Sequence, residues 1–150
     1  MRQRAFTLVE LLIAVAVILV VAAMSIAVFS NYRKSALLAE AKNKTLAEIN
    51  LARSKTLGSE ENSNYGIHFE ENRIVLFKGS TYSSLDPDNK ETPIPPGIRI
   101  SLISLVPATS DVVFERLTGK AVSSGTITLE VIGDLPRSAT IIIYSSGALE

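Results

Sequence analysis

Residues 6–29 read FTLVELLIAVAVILVVAAMSIAVF, and this apolar run is the feature that decides the fold. Glu10 is its only charged residue, and Thr7 and Ser25 are its only other polar residues. A helix over the run would be about 36 Å long, which exceeds the roughly 30 Å of a hydrocarbon core. The run therefore predicts a transmembrane helix. A cleaved secretory signal is the alternative, because residues 25–27 offer a cleavage site, but such signals have a shorter apolar region without an acid.

Glu10 is the residue in this run that needs a chemical explanation. A carboxylate at the centre of a membrane helix costs about 2.5 to 3.5 kcal/mol, so the group should become neutral, reach the interface or pair with a cation. An acid inside a span is therefore a candidate functional residue. The alternative is that Glu10, about one turn from the helix start, reaches the headgroups and has no other role.

A short basic leader precedes the run. Residues 1–5 read MRQRA and are followed at once by FTLVELLI. A basic leader, a small residue, Phe, Glu and a long apolar run, in that order, resemble the amino-terminal signal of type IV prepilins and type II secretion pseudopilins. The resemblance implies that a prepilin peptidase cleaves between Ala5 and Phe6 and methylates the new Phe6 amine. The family usually has Gly where Ala5 stands, so we expect slower processing.

The same resemblance implies a role and a topology for Glu10. In these filaments the glutamate of an incoming subunit pairs with the amino terminus of a subunit already in place, which here is Phe6. Two groups that are each costly in lipid become tolerable together, so the pair can guide a subunit out of the bilayer. The implied partners are other pilins, the prepilin peptidase and the inner-membrane assembly platform. The implied location is a single span in the inner membrane with a periplasmic head.

The helix is predicted to continue beyond the apolar run. Residues 30–57 contain neither Gly nor Pro and are rich in strong helix formers, and Gly58 is placed to end the helix. An apolar stripe on this part of the helix should pack on the domain that follows. The residues predicted to form the stripe are Leu38, Leu46, Ile49 and Leu57.

After residue 58 the pattern changes to period two, which predicts an antiparallel β domain. Residues 86–97 are rich in Pro and polar residues and are predicted to form a long exposed loop. The order of the β segments resembles that of H-type minor pseudopilins and FimT-like minor pilins, which implies a β-sandwich-like head of the pilin fold. The six segments predicted as strands are 65–70, 73–77, 98–106, 111–117, 126–132 and 140–144.

The sequence thus predicts an α+β fold with four parts. A cleaved leader occupies 1–5, a transmembrane helix 6–29, an amphipathic helical spine 30–57 and an antiparallel β head 58–150. The function predicted is that of a minor pilin or pseudopilin that assembles through its helix into a type II secretion pseudopilus. The alternative is a FimT-like minor pilin of a type IV pilus, involved in pilus biogenesis or DNA uptake.

Enzymatic activity and cofactor binding find little support in the sequence. There is no Cys and a single His, which excludes thiol nucleophiles and leaves His68 as the one candidate imidazole base. His68 falls on the polar face of a predicted strand, where a solvated surface residue is expected. Walker, dinucleotide-binding and zinc-protease motifs are absent from the sequence. We therefore predict a non-enzymatic protein without a cofactor.

Two binding hypotheses remain, and the sequence favours neither. The predicted loop carries four oxygen ligands suited to calcium, but their spacing is not that of an EF-hand, so a plain hydrophilic loop is preferred. DNA binding is disfavoured because residues 58–150 hold 7 Lys and Arg against 12 Asp and Glu, a net charge of −5. The calcium candidates are Asp86, Asp88, Asn89 and Glu91. The isolated basic candidates for DNA are Arg116, Lys120 and Arg137.

Overall fold

The computed structural model describes residues 7–150, except for the side chains of residues 24–28, 135 and 136. The chain divides into two compact units, the first ending at Ser35 and the second running from Ala36 to Glu150. A long helix is followed in chain order by strands, as predicted. The elements are α1 (Leu8–Leu57), a 3₁₀ turn (Glu60–Asn62), β1 (Tyr65–Phe69), β2 (Arg73–Lys78), β3 (Lys90–Pro93), β4 (Ile98–Val106), β5 (Asp111–Val113), β6 (Ser124–Val131) and β7 (Asp134–Ile143).

The strands form two antiparallel sheets in the second unit. One sheet has the order β3-β2-β1-β5 and the other has the order β4-β6-β7. A single apolar core joins residues of α1 and of both sheets, among them the fully buried Ile49, Ile67 and Leu129. Burial of such side chains is the main force that holds the helix on the sheets. The predicted fold class, an α+β chain with a long amino-terminal helix and an antiparallel β head, is confirmed.

The buried stripe of α1 differs from the predicted one. Its members recur every three or four positions and are mostly small, and two of them are threonines. Thr45 and Thr56 donate their hydroxyl protons to the carbonyl oxygens four residues earlier, so neither buried hydroxyl is left unsatisfied. Leu57, predicted to lie in the stripe, is 42% exposed. The buried residues are Leu38, Ala41, Thr45, Ile49, Ala52 and Thr56.

The predicted loop at 86–97 contains a strand. Lys90–Pro93 pairs with Arg73–Leu76 as β3, at the edge of the first sheet. Thr92 is buried there, and its hydroxyl donates to Glu48 Oε1 of α1 at 3.0 Å. The loop prediction was wrong over these four residues because Pro is compatible with an edge strand, where an unpaired backbone nitrogen is tolerated.

The limits of β5 and β7 differ from the predicted ones by four residues or more. β5 ends at Val113 rather than continuing to residue 117, because the chain turns at Glu115–Lys120, where Glu115 N donates to Lys120 O. β7 begins at Asp134, six residues before the predicted start, directly after a two-residue turn at Ile132 and Gly133. The first residues of β7 are mostly polar and do not alternate with apolar ones, so the sequence pattern does not predict them as a strand.

A compact turn connects α1 to β1. Ser59, Glu61 and Asn62 have positive φ angles of 48°, 49° and 57°, a conformation that costs free energy for residues other than glycine. Ion pairs of Glu60 with Lys55 and of Glu61 with Lys78 hold the turn. The hydrogen bond from Lys78 lowers the pKa of the Glu61 carboxyl and thereby favours its charged form.

Candidate assembly site

The first turn of α1 is defined by Thr7 and Glu10. Glu10 N donates to Thr7 Oγ1 at 3.3 Å, and Leu11 N donates to Thr7 O at 3.2 Å. Thr7 is therefore the N-cap of the helix, with Glu at the third helical position, the spacing of a capping box. A carboxylate in the first turn is also favoured by the partial positive charge of the helix start. The capping role of Thr7 was not predicted from the sequence, although the Thr-x-x-Glu spacing is typical of a capping box.

Within the described part of the chain, the side chains that follow Thr7 are exposed to solvent. Glu10 is exposed, and the large apolar residues from Leu8 to Val21 are between 47% and 73% exposed. A helix that is apolar on all faces requires lipid or neighbouring helices around it. Over the described residues, no helix combines the length and the hydropathy needed to cross a membrane.

The predicted cleavage site is Ala5 and Phe6, and both residues lie outside the described part of the chain. Cleavage and methylation at this position thus remain predictions, as does the pairing of Glu10 with the Phe6 amine. Glu10, by contrast, is placed in the first turn of α1 with an exposed side chain, which is a position from which it could meet another chain.

Comparison with known proteins agrees with the motif at the start of the chain. The family model described as Prokaryotic N-terminal methylation motif matches residues 1–26, which include Ala5, Phe6 and Glu10. No curated protein and no solved structure matches the chain. The match supports a type IV pilin-like structural subunit rather than an enzyme. It implies processing by a prepilin peptidase, assembly with other pilins and membrane anchoring.

The four calcium candidates lie in the β2–β3 connection and the start of β3, and several of their polar atoms are already bonded. Asp86 Oδ1 accepts a hydrogen bond from Asp88 N at 2.9 Å, and Asn89 Nδ2 donates to Ser83 O at 2.7 Å. Glu91 Oε1 accepts a hydrogen bond from Arg73 Nη1 at 2.9 Å. Among the described residues, no group of three or more His, Cys, Asp or Glu side chains is arranged to hold a metal ion.

His68 is part of a packed cluster and is not a solvated surface residue, so that interpretation was wrong. Its side chain is 19% exposed, and Nδ1 lies 2.5 Å from Asp111 Oδ1. The Tyr82 ring stacks on the imidazole with the centroids 3.9 Å apart, and it also contacts Phe77. The loop that carries Tyr82 thus covers the sheet face opposite the main core, which sequence periodicity could not reveal.

A second carboxylate lies beside the same imidazole. Glu70 Oε1 is 3.8 Å from His68 Nε2, and Glu70 also forms a two-pronged ion pair with Arg73. The hydrogen bonds from Arg73 lower the pKa of the Glu70 carboxyl and thereby favour its charged form. The cluster holds the Tyr82 loop to β1 and β5, and we assign it a structural role.

The basic residues considered for DNA binding are partly engaged within the head. Arg116 donates to Asn62 O at 2.8 Å and to Asn62 Oδ1 at 2.5 Å. Arg137 Nε lies 3.8 Å from Asp134 Oδ2. Lys120 is exposed, but it shares a shallow groove with Glu115. Engaged guanidinium groups and a net charge of −5 over residues 58–150 leave little attraction for phosphates.

Proposed function

We propose that the chain is a minor pseudopilin of the H-type group that assembles into a type II secretion pseudopilus. One observation carries the proposal. The methylation motif covers residues 1–26, and the helix that begins within it has an exposed Glu10 in its first turn, followed by a run of exposed apolar side chains. The alternative is a FimT-like minor pilin that serves pilus biogenesis or DNA uptake.

Maturation begins in the inner membrane under this proposal. The prepilin peptidase removes residues 1–5 on the cytoplasmic side and methylates Phe6. Residues 6–29 remain in the bilayer, residues 30–57 continue as a helical spine, and residues 58–150 form the periplasmic head. The exposed apolar side chains of the described part of this run, from Leu8 to Val21, are the surface that lipid covers before assembly and neighbouring helices cover afterwards.

Glu10 guides docking because its carboxylate is costly in hydrocarbon when it has no partner. The amine of Phe6 on a neighbouring subunit carries the opposite charge and faces the same cost. Bringing the two groups together neutralises both, so the paired arrangement is favoured over two separate charges in lipid. The apolar helices then pack against one another and supply most of the cohesion.

Two features favour the secretion role over DNA uptake. The head carries a net charge of −5, which repels nucleic acid. Arg116 and Arg137, two of the three candidate DNA contacts, interact with residues of the head itself. A pseudopilus subunit needs no affinity for phosphates, only surfaces that contact sister subunits or cargo.

Deletion of the gene in its own bacterium tests this proposal. We expect the enzymes normally secreted to accumulate in the periplasm, while piliation and natural transformation stay at wild-type levels. Re-expression of the intact chain should restore secretion and serves as the control. Loss of piliation or transformation with normal secretion would replace the proposal with the FimT-like alternative, and no change in any of the three would contradict both.

A further inference from the structure

Three residues near the end of the apolar part of α1 form a distinct surface. Phe29 and Tyr32 are 70% and 71% exposed, and Arg33 is exposed as well. Their positions i, i+3 and i+4 place them on one face of the helix. We call this set, Phe29, Tyr32 and Arg33, the interfacial face. It combines a tyrosine ring and a guanidinium group, which are typical of membrane–water boundaries, with the apolar ring of Phe29.

The position of this face along α1 matches the thickness of a bilayer. A helix rises about 32 Å from Leu8 to Phe29, and a hydrocarbon core is roughly 30 Å thick. With Leu8 at one boundary of the core, Phe29 lies at the other. Tyr32 and Arg33 then lie about 5 to 6 Å further along, at the depth of the headgroups.

We propose that the interfacial face binds phospholipid headgroups at the carboxyl end of the span and thereby fixes the depth of α1 in the bilayer. This inference rests on the membrane anchoring in the proposed function. Arg33 supplies a planar donor fork that matches a lipid phosphate, the Tyr32 ring occupies the layer between the phosphates and the acyl chains, and the Phe29 ring packs at the edge of the hydrocarbon. The ligand is the headgroup phosphate of the lipid and not free phosphate.

The depth of the helix matters because it also sets the depth of Glu10. With Phe29 at one boundary, Glu10 lies about 28 Å away along the axis, just inside the opposite boundary. At that depth the carboxylate stays close to water until a partner arrives. An unanchored helix could slide, which would place Glu10 either deeper in hydrocarbon or outside the bilayer.

Labelling of single cysteines tests the proposal, since the chain contains no Cys of its own. The full chain is reconstituted into vesicles of phosphatidylethanolamine and phosphatidylglycerol, and a membrane-impermeant maleimide is added. Reporters are Ala16→Cys inside the span, Ser30→Cys at the expected boundary and Ser35→Cys beyond it, with Ser35→Cys as the reference for full labelling. We expect Ala16→Cys to be protected and Ser30→Cys to be partly protected.

Charge reversal at Arg33 should move this boundary. Arg33→Glu is expected to raise the labelling rate of Ser30→Cys about fivefold, the factor that one basic residue contributes near a lipid surface. Lys42→Glu, the same charge change nine residues further along the chain, is the matched control and should leave the rate unchanged. The effect of Arg33→Glu should persist with added inorganic phosphate and disappear in an uncharged maltoside detergent.

The outcomes separate the inference from the proposed function. Protection of Ala16→Cys together with equal Ser30→Cys rates in the Arg33→Glu, Lys42→Glu and unsubstituted backgrounds would overturn the interfacial face but leave the span intact. A loss of the Arg33→Glu effect on addition of inorganic phosphate would also overturn it, since free phosphate would then compete for the group. Full labelling of Ala16→Cys in the unsubstituted background would show that the helix does not span, and would overturn membrane anchoring as well.

Discussion

Substitution of Glu10 by valine is expected to abolish co-assembly of this chain with other pilins while leaving it in the membrane. The valine removes a carboxylate that costs about 2.5 to 3.5 kcal/mol at a helix centre, so insertion should be at least as favourable as before. It also removes the only negative charge in residues 6–29, and the Phe6 amine of a neighbour then has no counter-charge there. Shearing of filaments, followed by immunoblotting of the filament and membrane fractions, measures both properties.

Glu40→Val is the matched control for this experiment. Glu40 is also an exposed glutamate of α1, but it lies outside the apolar run, so its replacement should leave co-assembly at the wild-type level. Thr7→Ala removes the hydrogen bond at the start of the helix, which typically costs about 1 kcal/mol, and should weaken co-assembly without abolishing it. Wild-type amounts of Glu10→Val in sheared filaments would contradict the proposed role of the carboxylate.

A large loss of head stability is expected from Gly147→Ala. Gly147 has a φ of +79°, and a Cβ there would lie 2.1 Å from Gly119 O and 2.8 Å from Arg53 Nε. The same Arg53 Nε donates to Gly119 O at 3.1 Å, so the methyl group would disrupt the contact that joins α1 to the β5–β6 turn. We expect a loss of about 3 to 5 kcal/mol in the free energy of unfolding.

Gly133→Ala separates the steric effect from the conformational one. Gly133 has nearly the same φ, +78°, but a Cβ there would have no heavy atom within 4 Å. Its replacement should cost only the left-handed conformation, about 1 to 2 kcal/mol. Urea unfolding of both variants in detergent, followed by circular dichroism, gives the comparison. Equal losses for the two alanines would contradict the close packing described at Gly147.

The elements that the sequence predicted well are those with a strong period. The helix was expected to end at Leu57 before Gly58, and α1 ends at Leu57. β4 has the predicted limits, and β1 begins at the predicted residue and ends one residue early, because apolar and β-branched residues alternate along both strands. The limits of such segments depend mainly on residues close together in the chain, so they can be predicted from a single sequence.

The elements that the sequence did not predict depend on contacts distant in the chain. β3 is short and polar, and it exists because Arg73–Leu76 offers a free edge and Glu48 accepts a hydrogen bond from Thr92. Much of the buried face of α1 consists of Ala and Thr, because the sheets lie close to the helix there. The pattern of large apolar residues in the sequence does not indicate how close the sheets will lie. His68 is covered by Tyr82, which lies fourteen positions further along the chain.

At the candidate site the structure shows the position of Glu10, while its role in assembly stays a prediction. Glu10 was singled out by its charge within an apolar run, and the structure places it in the first turn of α1 with an exposed side chain. Thr7 was missed because it was considered only as one of the run's few polar residues. The cleavage site was predicted from the resemblance to prepilin signals and not from the spacing of apolar residues.

The amino terminus of the mature protein tests the central claim, that this chain is processed and used as a pilin-like subunit, most directly. Mass spectrometry of the protein purified from its own membranes measures it, and a strain without prepilin peptidase provides the unprocessed control. We expect the mature chain to begin at Phe6 with a methylated amine and the control to retain residues 1–5. A mature chain that still begins at Met1, or one that begins within residues 24–28, would contradict the claim.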